Sequence, residues 1–144
     1  MNNLEKAKTM LNMYEYTLVM CSGTDTITSK KRGVKPLLDL LDDGYILSEY
    51  SAADKVVGNG AAFLYVLLGI KEIYTNIISK SALATLNSHN IKVSYTTLAD
   101  AIKNRDNTGF CPIETAVDGI TDPNEALAAI RAALHSIIQK NSGK

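Results

Sequence analysis

The stretch Ile73-Tyr74-Thr75-Asn76-Ile77-Ile78-Ser79-Lys80-Ser81-Ala82-Leu83-Ala84-Thr85-Leu86-Asn87-Ser88-His89-Asn90-Ile91-Lys92-Val93-Ser94-Tyr95 decides the fold. Ile73 to Ile78 is rich in β-branched side chains and reads as a buried strand. Lys80 to Ser88 has the alanines and leucines of a short helix, and Ile91 to Tyr95 returns to strand character. The connections between the three are short. A strand, a helix and a strand joined this way predict a right-handed parallel crossover.

Toward the N-terminus, the spacing predicts a central helix from Ser51 to about Leu68. Val56, Val57, Phe63, Leu64, Val66 and Leu67 crowd nearly all its sides, so it is expected to be buried. Gly58, Gly60, Ala61 and Ala62 would leave room for another backbone, and Gly69 would end it. Val34 to Leu41 predicts a helix with Leu37, Leu38 and Leu41 on one face and Gly44 as its stop. Tyr16 to Ser22 and Thr26 to Thr28 flank the turn residues Ser22-Gly23-Thr24-Asp25 and predict a hairpin. Leu4 to Met13 reads as an amphipathic helix.

Toward the C-terminus, Asp122, Pro123 and Glu125 form a capping box that opens a last helix. Leu127, Ile130, Leu134, Ile137 and Ile138 supply its packing face. Together these elements predict an α/β fold: a three-layer α/β/α sandwich with a mixed central sheet. One domain is expected over residues 1–144, with an N-terminal helix within 1–14 and a C-terminal helix over 122–139 packing on the core.

Fifteen basic residues balance fifteen acidic ones. A dedicated nucleic-acid binder usually has a basic excess, so no nucleic-acid partner is expected. Two cysteines, Cys21 and Cys111, are too few for a disulfide framework or an ordinary structural zinc site. No apolar run approaches the roughly 20 residues of a membrane helix, and the N-terminus lacks the pattern of a signal peptide. A soluble cytoplasmic protein without a membrane partner is the expectation.

The segments SKKRGVKPLLDLL, SAADKVVGNGAA, NIISKSALATL and NRDNTGFCPIE occur in that order. In combination they resemble a small prokaryotic family catalogued as a domain of unknown function, over about residues 16 to 119. The resemblance implies a cytidine-deaminase-like fold and little about activity. Zinc deaminases need a His or Cys with a Glu at one helix start and Pro-Cys-x-x-Cys at the next, to hold and deprotonate a zinc-bound water. Here the corresponding starts read Ser51-Ala52-Ala53-Asp54-Lys55 and Ser79-Lys80-Ser81-Ala82-Leu83, with no His or Cys. His89 and His135 sit elsewhere. No zinc or other cofactor is therefore expected, and zinc-dependent deamination is not. What the resemblance leaves is a cleft between two helix N-termini at the sheet edge, where ligands of open α/β folds bind. Deaminase-like folds commonly self-associate, so a homodimer is a further expectation of the resemblance.

The polar loop Asn104-Arg105-Asp106-Asn107-Thr108-Gly109-Phe110 runs into Cys111-Pro112-Ile113-Glu114. Cys111 falls at the cap of a helix that Pro112 opens. A thiol there reads either as a small residue chosen for fit or as a thiolate aided by the helix dipole and Arg105. Glu114 opposes activation, because a nearby carboxylate raises a thiol's pKa. Asn104, Arg105 and Thr108 are the better ligand contacts.

Ser51-x-x-Asp54 reads as a capping box, and Asp54 also as a ligand contact. Lys55 beside it reads as a solvated lysine or a phosphate contact. Ser79, Lys80 and Ser81 cap a helix or offer hydroxyls, an ammonium and N–H groups to an anion. Lys30-Lys31-Arg32-Gly33 reads as a solvated loop or, through Arg32 and Gly33, as a phosphate contact at a helix start.

The preferred reading is a zinc-less deaminase-like cleft that binds a nucleotide or ribose-phosphate (ADP-ribose-like) ligand. The alternative is an enzyme acting on a nucleoside derivative with Cys111, Asp54 or Glu114 as the reactive group. A third reading is an interaction module with a vestigial cleft.

Overall fold

The computed structural model of the chain describes residues 1–102 and 111–142. Its elements, in order, are α1 (Asn3–Met13), β1 (Leu18–Ser22), β2 (Asp25–Ser29), α2 (Lys35–Asp42), β3 (Ser51–Val57), α3 (Asn59–Leu68), β4 (Glu72–Ser79), α4 (Lys80–Ser88), β5 (Lys92–Ala99), α5 (Pro112–Val117) and α6 (Pro123–Ser142). The strands form one mixed sheet in the order β2-β1-β3-β4-β5. β1 is antiparallel to both neighbours, whereas β3, β4 and β5 run parallel.

The sheet is covered on both faces, which makes a three-layer α/β/α sandwich. On one face Ala7 and Leu11 of α1 pack on Val19, Cys21, Ala53 and Tyr74. The larger core, on the other face, joins Ala52, Ile73 and Ile78 of the sheet to Phe63, Leu64 and Tyr65 of α3 and Ile130 of α6. α4 lies beside α3, and α6 packs on α3 and α5. No helix among the described residues is long and apolar enough to cross a membrane.

The hairpin forms as the sequence predicts, with Leu18 opposite Ser29 and Ser22 opposite Asp25. The crossover forms as well, with Ile73 beside Val93, and β5 continues past Tyr95 to Ala99. In α6 the Glu125 N–H donates to Asp122 Oδ2 at 3.0 Å, so Asp122 caps it.

The central helix is the correction. Ser51 to Val57 is a strand, and only Asn59 to Leu68 is helical. β3 is a central strand with Ser51, Ala52 and Ala53 buried in succession. A strand buried on both faces loses its polar alternation and reads like part of a buried helix. Ser51-x-x-Asp54 is therefore not a capping box. Ser51 Oγ instead donates to Glu72 Oε2 at 2.8 Å across to β4.

A kink across the parallel strands positions the site. Register is unbroken in count, yet the row Lys55–Asn76–Thr96 is missing from the pairing. Ala52 and Val57 on β3, and Ile73 and Ile78 on β4, all face the larger core. Each pair is five residues apart, a spacing that a regular pleat would send to opposite faces. Side-chain bonds hold the irregularity on both strands. The Val56 N–H donates to Asp54 Oδ1 at 3.2 Å, and Thr75 Oγ1 donates to the Ile77 carbonyl at 3.0 Å.

Candidate functional site

Because β1 opposes β3, the chain entering β1 and leaving β2 reaches the same sheet edge as the C-terminal ends of β3, β4 and β5. Most sequence-predicted site residues lie along that edge, in two groups.

The first group surrounds the N-termini of α3 and α4. Glu114, on the first turn of α5, lays its carboxylate across the start of α3. The Asn59 N–H donates to Oε1 at 2.6 Å, and the Gly60 N–H donates to Oε2 at 2.9 Å. The first N–H groups of a helix have no partner within it, and the helix dipole favours negative charge there. Glu114 supplies both the acceptors and the charge. The glycines make room for it: a Cβ on Gly58 would stand 2.6 Å from Glu114 Oε1, and one on Gly60 would stand 2.5 Å from Ile113 Cγ2. The close approach predicted at these glycines exists, but α5 side chains make it.

α4 starts one strand over. Ser79, fully buried, accepts from the Ala82 N–H at 3.1 Å, and its hydroxyl lies 3.2 Å from that of Ser81. Lys80 pairs with Asp100 at 2.8 Å, both well exposed. That bond and charge push the Lys80 ammonium pKa up and hold the Asp100 carboxyl below its usual range. Thr85 Oγ1 donates to Asn59 Oδ1 at 2.5 Å and ties the two helices together. Beside this bond a depression of about 240 Å³ is lined by residues including Phe63, Thr85, His89 and Thr121. The His89 Nδ1 lies 2.9 Å from the Thr85 carbonyl, which can only accept, so Nδ1 carries the proton.

The second group lies where β1 begins and β2 ends, and reaches across to Lys55 on β3. Thr17 gathers it: its hydroxyl donates to the Lys31 carbonyl at 2.7 Å, and its carbonyl accepts from the Lys55 N–H at 3.1 Å. Lys55 is exposed and lies in the row where the pairing of β3 with β4 is interrupted. Arg32 is exposed beside it. Gly33 has φ +79°, a left-handed backbone that accounts for the glycine without a ligand.

Asp54 belongs to neither group. Its carboxylate turns into the core, where the Tyr65 hydroxyl donates to Oδ2 at 2.6 Å. Burial pushes its pKa up to about 6 against the opposing effect of that hydrogen bond. The same burial, with Asp54 beside it, raises Tyr65 well above the phenol range. Asp54 fastens the kink, half-buried, with one carboxylate oxygen on Tyr65 and the other on the Val56 N–H. Nothing in the sequence pointed to Tyr65 as its partner.

Cys111 is the N-cap of α5, but its side chain makes no capping bond, and it packs half-buried against the larger core. Glu114, expected to act on this thiol, is turned to α3 instead. Cys21 is fully buried in β1. Asn104, Arg105 and Thr108 lie outside the described residues.

The fold and site thus define an α/β/α sandwich whose polar groups collect at the C-terminal edge of three parallel strands. The family model TM1506, described as a domain of unknown function (DUF1893), matches residues 6–134, and the chain belongs to that family. It is similar to the crystal structure, at 2.70 Å resolution, of a DUF1893 family protein (TM1506) from Thermotoga maritima. The TM-score is 0.83 at 29% identity, covering 94% of this chain and 90% of that one. No curated protein matches the chain.

Proposed function

We infer that the chain binds an anionic small molecule, a nucleotide or ribose-phosphate of the ADP-ribose kind, where α3 and α4 begin. The observation that carries this reading is the Glu114 carboxylate on the Asn59 and Gly60 amides. An acidic group already seated there marks these amides as anion-receptive. The α4 start adds Ser81 and Lys80, whose pairing with Asp100 is solvent-exposed and weak enough for a phosphate to displace. In this reading the sheet order is that of a cytidine-deaminase-like fold, and Asn104, Arg105 and Thr108 complete the cleft.

Zinc does not fit this site. The helix starts offer Gly58, Asn59, Gly60, Ser79, Lys80 and Ser81, none of them a His, Cys or carboxylate ligand. Of the carboxylates at hand among the described residues, Glu114 is committed to two amides and Asp100 to Lys80. No step through a metal is derived. The enzyme reading has the weaker support, since the Asp54 carboxylate is committed to Tyr65 and the Val56 N–H, and Cys111 has no base bonded to it among the described residues.

The same Glu114 contact favours a second reading, an interaction module whose cleft is closed by its own carboxylate. A thermal-shift panel of nucleotides and ADP-ribose separates the two. Ligand at about a hundred times its Kd should stabilise the protein by about 2.7 kcal/mol. Opening the α3 amides with Glu114→Gln should tighten binding if ligand and carboxylate compete. No shift at millimolar ligand in either protein would leave the closed-cleft reading standing.

A further inference from the structure

We propose that the corner built by Tyr14, Tyr16, Lys30, Lys31, Arg32 and Lys55 is a binding surface for single-stranded nucleic acid. It is independent of the ligand reading above, because it shares no residue with the α3–α4 termini.

Three separate parts of the sequence meet there through Thr17. Its N–H donates to the Ser29 carbonyl at 2.8 Å, its hydroxyl to the Lys31 carbonyl, and its own carbonyl accepts from Lys55. The segment before Thr17 carries two tyrosines with ring centroids 5.7 Å apart, tilted at 54°. Tyr14 is 56% exposed, with much of its ring open to solvent. The Lys30 ammonium stands 5.9 Å from the Tyr16 ring centroid, a distance at which the ring face attracts a cation.

The charge is unbalanced locally although the chain is neutral overall. Lys30, Lys31, Arg32 and Lys55 are all exposed, and none has an ion-pair partner among the described residues. Lys35, Lys80 and Arg131, by contrast, pair with Asp39, Asp100 and Asp42. The nearby acids do not cancel the group. Glu15 and Asp43, the latter on the groove that Lys31 also lines, are two charges against four; Asp54 accepts from Tyr65, and Asp39, across that groove, is taken by Lys35.

The spread of the cations selects the partner. Lys30 to Arg32 follow β2, and Lys55 lies on β3, two strand spacings away or about 10 Å. A single phosphate can meet only some of these flexible side chains, whereas a run of phosphates can engage all four at once. An exposed ring beside such a run, here Tyr14 backed by the half-buried Tyr16, is what unpaired bases stack on, without regard to sequence. The net charge of the chain conceals this surface, because a binder is recognised by where its cations lie.

The test is fluorescence anisotropy of labelled oligo-uridylate and oligo-thymidylate of about a dozen nucleotides, titrated with the full chain at several salt concentrations. With four cations engaged, log K should fall against log salt with a slope of about −3. The triple variant Lys30→Gln, Lys31→Gln, Arg32→Gln should lower the slope by about 2, and Lys55→Gln by a little under 1. Tyr14→Ala should weaken binding by about 5- to 100-fold with the salt slope unchanged. All five positions are exposed, and circular dichroism checks that the variants fold. Tighter binding of the RNA or of the DNA strand would identify which source the surface prefers. Equal competition by polyphosphate with Tyr14→Ala unaffected would overturn the proposal in favour of unspecific polyanion exchange. Binding only to phosphatidylserine vesicles, or no anisotropy change at low salt, would overturn it outright.

Discussion

Replacing Glu114 by alanine removes the only side chain among the described residues that satisfies the α3 N-terminus from outside the helix. Two charge-assisted bonds go at once, at 2.6 Å to the Asn59 N–H and 2.9 Å to the Gly60 N–H. A bond to a charged group contributes about 1.5–3 kcal/mol, and a buried N–H left unpaired costs about 1–3 kcal/mol. Gly60 is buried, so its N–H stays dry, whereas Asn59 is half-exposed and can recruit water. The expected loss is therefore below the sum, about 2–4 kcal/mol. For a chain of this length that is a fall in Tm of about 6–13 °C, read by thermal and urea melts followed by far-UV circular dichroism. Glu114→Gln keeps one acceptor oxygen and should lose about half as much.

Gly58→Ala sharpens the test. Its methyl would stand 2.6 Å from Glu114 Oε1 and must push the carboxylate off the amides. Alone it should cost about 1–3 kcal/mol, but in the Glu114→Ala background it should cost a few tenths, the ordinary difference between Ala and Gly at a cap. A Glu114→Ala protein within about 0.5 kcal/mol of the wild type would refute the reasoning, as would strict additivity of the two changes.

Asp54 predicts a pH dependence. Its folded pKa is raised from 3.8 to about 6, so the folded state holds the proton more tightly than the unfolded chain. Stability fully present below about pH 4 is lost as pH rises through 6, by about 3 kcal/mol. In Asp54→Asn this part of the slope should vanish in urea melts across that range; a wild-type slope in the variant would contradict the burial argument. Ser79→Ala deletes the cap of α4 and should cost about 1 kcal/mol, seen as a Tm lower by about 3 °C. In a thiol-labelling assay on native protein, Cys111 should react and Cys21 should not, with Cys21 released only by denaturant. Two thiols reacting at one rate would mean that β1 is not buried as described.

The secondary structure that rests on local chemistry was legible in the sequence. The hairpin follows from Gly23 between two β-branched runs, and the crossover from the Ile73–Tyr95 pattern. The start of α6 follows from Asp122 and Pro123. Each of these depends on residues within a few positions of one another. β3 was not legible, because Ser51-Ala52-Ala53 is buried on both faces and a continuous small, apolar run carries no period of two. Only the strands on either side of it make it a strand.

The site divides in the same way. The sequence by itself determined that polar and basic residues cluster at Lys30–Gly33, Lys55 and Ser79–Ser81, and that Glu114 stands in the first turn of its own helix. Tertiary structure alone decided where those groups point. Packing α5 against α3 sends Glu114 across 55 residues to the Asn59 amide. Packing of α3 on β3 gives Asp54 to Tyr65 and leaves Lys55 exposed, and Thr17 draws Lys55 to the basic run after β2. A helix terminus will accept any anion within reach, and a carboxylate will cap any free amide. Their pairing is a matter of distance, which no local pattern contains.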